Sequence, residues 1–184
     1  MTPPPRAPSQ VLAATVDRCT MIAVRGAGNF RLAPAFRQAV QAARLADTEL
    51  IVVEMQACTA LDSTFMGALA ALGFSARDPN NPPAILINLP ANLAALLTNL
   101  GIHRILKSYS AGAFPEGLGD LSQFADNLQP VTGEPHSFQE MNALMFDAHE
   151  TLTRVDPANI QRFKDVLALL RKDLDMPPAP PSGD

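Results

Sequence analysis

The sequence has no tryptophan, one tyrosine and two cysteines among 184 residues, and charged side chains make up only 17% of it. Each shortage removes a class of function. Few aromatic rings mean few platforms on which bases or sugars could stack. Cys19 and Cys58 stand apart, with neither CxxC spacing nor a neighbouring ligand set, so no zinc site and no redox pair is indicated. Free cysteine is among the most buried residue types, and Cys58 is read as buried and inert. A formal charge of −4 and an isoelectric point near 5.3 leave no basic footprint for nucleic acid. No apolar run reaches the roughly 18 residues that would span a bilayer. Residues 1–10 are proline-rich and lack the apolar segment of a secretory signal. Cytoplasmic residence is the resulting expectation.

Catalytic and metal signatures are also missing. His149-Glu150 begins like a zinc-protease motif, but position 153 is threonine, so the second ligand is absent; His103 and His136 belong to no recognisable set. Gly26-Ala27-Gly28 is a poor phosphate loop, because a dinucleotide fingerprint requires a further glycine where Arg31 stands, and it reads as a turn. No Gly-x-Ser-x-Gly occurs, and Asp62-Ser63 has no local general base. Neither an enzyme nor a cofactor or metal binder is expected.

What the chain does contain is a 47% hydrophobic fraction arranged in alternating elements. Segments 11–16 and 20–24 read as strands, the first at an edge. Segment 33–46 carries Phe36, Val40 and Ala43 on one face and reads as an amphipathic helix. Residues 50–55 form a short β-branched run, the pattern of a strand buried on both faces. Asp62, Ser63 and Thr64 are preferred helix-start residues, and Met66, Leu69, Ala70 and Leu72 follow at helical spacing. Residues 84–89 predict another buried strand, 92–100 a helix stopped by Gly101, 107–110 a short strand, and 118–128 one more helix. Strands alternating with helices imply right-handed crossovers and an α/β fold with a mixed, mostly parallel sheet, its helices packed mainly on one face.

Residues 130–135 mark a boundary. Beyond it, Phe138, Met141, Leu144, Met145, Ala148 and Leu152 make one apolar stripe, and Ile160, Phe163, Val166, Leu167, Leu170 and Leu174 a second. Asp156-Pro157 between them is a helix restart signal. The expected organisation is a disordered tail over 1–10, an α/β domain over 11–131, a C-terminal helical hairpin over 135–175 and a second disordered tail over 176–184. A lone helical pair buries too little to be stable, so the hairpin must pack on the domain, on another copy or on a partner.

The unit at residues 50–74 places a hydroxyl and a carboxylate at a helix start just past a central strand. The strand, Asp62-Ser63-Thr64 and the small-residue helix with Gly67 resemble the core motif of STAS domains, the fold of anti-sigma factor antagonists. Their usual motif is Asp-Ser-(Ser/Thr)-Gly-(Leu/Met)-Gly. The resemblance covers about residues 18–130 and makes Ser63 the phosphoacceptor, with Thr64 the alternative, Asp62 its neighbour and Gly67 the second glycine; Phe65 stands where the first glycine would be. It implies signal transduction and transcription regulation: an anti-anti-sigma factor that binds an anti-sigma serine kinase through Asp62, Ser63, Thr64, Phe65, Met66 and Gly67 while Ser63 is unphosphorylated. A PP2C-type phosphatase would be a further partner. The competing expectation is a constitutive scaffold, with Ser63 only a helix cap and the hairpin making a homodimer.

Overall fold

The computed structural model describes residues 8–133 and 135–176. Of the tails expected over 1–10 and 176–184, residues 1–7 and 177–184 lie outside the described residues, whereas Gln10 already belongs to the first strand.

Strand β1 (Gln10–Val16) turns at Asp17 and Arg18 into β2 (Cys19–Gly28), and the two pair antiparallel. Helix α1 (Ala33–Leu45) then crosses to β3 (Leu50–Glu54), β4 (Cys58–Leu61) leads into α2 (Ser63–Ser75), and β5 (Ala84–Ile87) follows. Helix α3 (Ala91–Asn99) and a 3₁₀ turn (Ile102–Arg104) precede β6 (Lys107–Ser108) and β7 (Gln129–Pro130). The sheet order is β6-β5-β3-β2-β1-β7, with β4 paired to β2 off this path. From β2 through β3 and β5 to β6 the pairing is parallel, and the β1 contacts are antiparallel. This is the mixed, mostly parallel sheet expected from the sequence. β1 is not at the rim, because the two-residue β7 pairs outside it.

Alternation along the strands divides the core into two layers. Ile22, Val24, Ile51, Val53, Ala84 and Leu86 face the helices, while Met21, Val52, Ile85 and Ile87 face the other side. The second face is covered without an α-helix. Expected helix 118–128 is instead a single 3₁₀ turn (Leu121–Phe124) that seats Phe124, 1% exposed, on this layer. The correction has a local cause. Gly117 and Gly119 cannot sustain a helix cheaply, and the Asp120 carboxylate accepts from the Ser122 amide at 2.9 Å and from its hydroxyl at 2.8 Å, closing one turn.

Residues 58–61 form β4. Strand β2 is long enough to pair with β3 over its first half and with β4 at Gly26–Gly28, where the register shifts. Gly26 sits at φ +73, a left-handed conformation open to glycine at little cost, and permits that irregularity.

Helices α4 (Phe138–Val155) and α5 (Ala158–Asp173) form the C-terminal hairpin. Ser137 and Glu140 make a reciprocal capping box at the start of α4. The hairpin lies against α2 through α4. Leu144, Leu152 and Phe163 join the same core cluster as Phe65 and Leu69. Two stripe residues depart from the expected inward set: Phe138 is 75% and Ile160 55% exposed, both within the first turn of their helices.

Candidate functional site

Asp62 is placed by the sheet. Its amide donates to the Gly28 carbonyl at 3.0 Å, so the chain leaves β4 beside the end of β2. Both carboxylate oxygens are then engaged: Oδ1 accepts from the Phe65 amide at 2.8 Å, and Oδ2 accepts from the Phe30 amide at 2.7 Å. The first bond caps α2; the second fastens the loop that enters α1. Asp62 thus performs the capping function, and Ser63, the next residue, does not.

The Ser63 hydroxyl is partly buried and takes a different partner. It lies 2.9 Å from Nε2 of His149 on α4, 86 residues further along the chain. His149 Nδ1 is 2.7 Å from the Met145 carbonyl oxygen. A carbonyl only accepts, so Nδ1 donates to it, and the ring is turned with Nε2 against the Ser63 hydroxyl. The edge of the His149 ring meets Phe163 of α5 at a centroid distance of 5.2 Å. His149 is 5% exposed, held between both hairpin helices and the start of α2.

The sequence reading attached no role to His149 beyond an incomplete zinc motif, and assigned Ser63 no base. The signal was present. His149 stands four residues after Met145 and three before Leu152, on the buried stripe itself, and a polar ring at such a position requires a partner. The pairing has the outline of a nucleophile and its base, with a backbone carbonyl in place of the third carboxylate. The adjoining recess, lined by Thr64, Gly67, Ala68, Leu144 and Ala148 among others, has no room for even a water molecule. Among the described residues, no three His, Cys, Asp or Glu side chains converge as a metal-binding group, and no helix is long and apolar enough to cross a membrane.

The remaining motif residues, expected to face a partner, face the protein's own interior. Thr64 is 4% exposed, Phe65 0% and Met66 8%. Phe65 packs against Phe36 with ring centroids 5.0 Å apart. Its space comes from Gly28, where an added Cβ would stand 3.1 Å from the Phe65 ring and 2.8 Å from Leu61 Cδ2. The aromatic ring therefore completes the core under the helix start. Gly67 is covered by α4: a Cβ there would meet the carbonyl carbon and the Cβ of Ala148, both at 2.7 Å. Of the six residues, only Asp62 and Ser63 retain partial exposure.

Polar contacts fix the rest of the hairpin. Asn159, with no exposed surface, donates to the Leu100 and Leu152 carbonyls at 3.0 and 2.8 Å. Arg162 donates to the Asn99 carbonyl at 3.0 Å. Ion pairs join Arg37 of α1 to Asp147 of α4, and Arg104 to Asp156 at the hairpin turn. Both are largely solvated, so each contributes at most about 1 kcal/mol. Arg154 lies over the Phe74 ring at 5.2 Å, tying α4 to the far end of α2.

No family model and no curated protein matches this sequence. Among solved structures, the chain is similar to the anti-sigma factor antagonist SpoIIAA in its unphosphorylated form. The identity is 12%, over 65% of this chain and 96% of that one, with a TM-score of 0.45.

Proposed function

We propose that the chain is a protein-binding module controlled at Ser63, in the manner its motif resemblance implies: unphosphorylated, it binds an anti-sigma serine kinase, and phosphate on Ser63 ends the contact. The observation that supports this reading is the division of labour at the start of α2. Asp62 supplies the cap, which leaves the neighbouring hydroxyl free of that duty and partly exposed. Phosphorylation adds roughly −1.5 to −2 charges. At a helix N-terminus the dipole favours negative charge by about 0.3–1 kcal/mol, so the modification is compatible with an intact α2. A partner lying over the site would meet that charge beside Asp62; a penalty of about 3 kcal/mol weakens binding roughly a hundredfold. Thr64, at 4% exposure, is the poorer acceptor.

A second reading is favoured by a specific contact. The Ser63–His149 hydrogen bond gives the serine an architectural duty, as the point where the hairpin is tied to α2 in a constitutive scaffold. The hairpin's inner stripe is already packed within the chain, so dimerisation would use its outer face, where Ile160 and Leu169 are exposed.

The test is incubation of the full chain with ATP and purified anti-sigma kinases, followed by phosphopeptide mapping and binding measurements with Ser63→Ala and Ser63→Asp. Phosphate on Ser63 and loss of kinase binding by Ser63→Asp are expected. Absence of phosphate on Ser63, together with equal binding by all three proteins, leaves the scaffold.

A further inference from the structure

Helix α2 is unusual in having almost no solvent face. Thr64 through Ala70, Leu72 and Gly73 are all buried. A helix apolar on every side must be covered on every side. The sheet and α1 cover one part, Ile105 and Leu106 after the 3₁₀ turn cover Gly73, and α4 closes over the Ser63 end with His149 and over Gly67 with the Ala148 backbone. The hairpin therefore sits on the very stretch through which the proposed switch would meet a partner.

We infer that the α4–α5 hairpin is an intramolecular inhibitor seated on the Ser63–Gly67 face of α2, latched by the Ser63–His149 hydrogen bond, so that closure of the hairpin and a phosphate on Ser63 exclude one another. This rests on the reading of Ser63 as a modified residue. The geometry gives the reason. Oγ and Nε2 are in hydrogen-bond contact at 2.9 Å, with nothing between them. A phosphoryl group places a phosphorus and three oxygens on Oγ, which the 2.9 Å gap to Nε2 cannot hold. His149 cannot retreat by itself, because its other nitrogen is held by Met145 and its ring by Phe163. Nor can α4 slide closer elsewhere, since Gly67 already meets the Ala148 backbone without a side chain between them. In the transfer, the Oγ–P bond forms as the bond from the γ-phosphorus to the ADP leaving oxygen breaks. The hydroxyl proton is taken up by the kinase's base. The same closure leaves Ser63 only partly exposed and its hydroxyl engaged by His149, so α4 must lift for a kinase to seat the serine, and it stays lifted once the phosphate is in place.

The latch separates this mechanism from a hairpin that is simply part of the core. The anchors at the hairpin turn, Asn159 and Arg162, lie on the end of α3 and do not involve α2. Opening at Ser63 therefore leaves a tether.

The experiment is hydrogen exchange on the full chain carrying phosphoserine at position 63, installed during translation so that no kinase is needed. Unmodified protein and the Ser63→Ala and His149→Gln variants are compared in parallel. Phosphoserine is expected to accelerate exchange in α4 roughly tenfold or more, the factor that follows from losing one hydrogen bond and stranding its partner. Protection in α1 and β3 should stay unchanged. Ser63→Ala, which removes the bond without adding charge, should give a smaller acceleration in the same segment. Unchanged α4 exchange in the phosphoserine protein, with the phosphate turned into solvent, overturns the inference. So does acceleration spread equally over α1, β3 and α4, because that is global destabilisation. The outcomes are independent of the kinase assay: a hairpin released by phosphoserine while no kinase modifies Ser63 removes the proposed function and leaves the latch. Modification of Ser63 with α4 undisturbed does the reverse.

Discussion

Gly67 of α2 and Ala148 of α4 approach so closely that no side chain fits between them; the Ala148 carbonyl carbon lies 2.7 Å from where a Gly67 Cβ would be. Gly67→Ala therefore opposes two effects. Alanine favours the helix by about 1 kcal/mol over glycine, while the added methyl collides with backbone that has no rotamer to escape into. Overpacking of this kind costs about 1–3 kcal/mol. Net destabilisation is expected in denaturant unfolding, with faster exchange at α4 ahead of the sheet. A variant more stable than the parent would show that α4 shifts freely.

Phe65→Gly restores the residue that the motif resemblance would place there, and it should damage this protein. The ring has no exposed surface and packs on Phe36. Removing a buried phenyl ring costs about 3–5 kcal/mol, and glycine inside α2 adds about 1 kcal/mol. A fall of that size in unfolding free energy is the expected result. A neutral outcome would return Phe65 to the list of surface contacts.

Asn159→Ala strands two buried carbonyls, those of Leu100 and Leu152, that one side-chain amide now satisfies. Unsatisfied buried groups cost about 1–3 kcal/mol each. The loss should register at the hairpin turn and the end of α3, leaving the Ser63 end of α4 less affected. Segment-resolved exchange checks this.

Acid should loosen the hairpin. The Asp156 carboxyl is held below its ordinary range chiefly by the Ala158 amide and then by Arg104, and Glu140 chiefly by the Ser137 amide. A depressed native pKa means stability that is complete above the unfolded values of about 3.9 and 4.3 and is lost as pH falls through the native ones. Protection of α4 and α5, measured against the intrinsic exchange rate at each pH, should therefore fall below about pH 4, and Asp156→Asn with Glu140→Gln should flatten that dependence. Protection unchanged from pH 6 down to pH 3 in the parent chain would contradict it.

Cys58 should resist alkylation. Burial pushes its thiol up, against the smaller opposing effect of backbone bonds from Gly28 and Ala60, and it is 4% exposed. Cys19 is also raised by burial but is only partly covered. At pH 8, iodoacetamide should label Cys19 before Cys58, and both readily once the chain is unfolded.

The sheet was legible because its strands announce themselves. Residues 50–53 and 84–87 are unbroken apolar runs, and a sheet buried on both faces requires that pattern. The four residues of β4 lack it: Thr59 and Ala60 are exposed, so only the position beside β2 makes them a strand. Leu118, Leu121 and Leu128 suggested a helix because leucine does not distinguish a helical face from an irregular segment laid over a sheet. The serine was visible through its motif, whereas its partner was not. No local pattern joins residue 63 to residue 149; only the packing of α4 on α2 does. The clue available in advance was α2 itself, whose residues 63–75 offer no polar side to water.

That all-round apolarity has a consequence for the ribosome. α2 ends at Ser75 and α4 at Val155, some 80 residues later, and synthesis at about 5–20 residues per second separates them by roughly 4–16 seconds. During that interval a greasy surface with an unguarded Ser63 hydroxyl is held out from the exit tunnel. Nascent chains are thus born open, and that surface is presented to the surroundings before its own C-terminal cover is made.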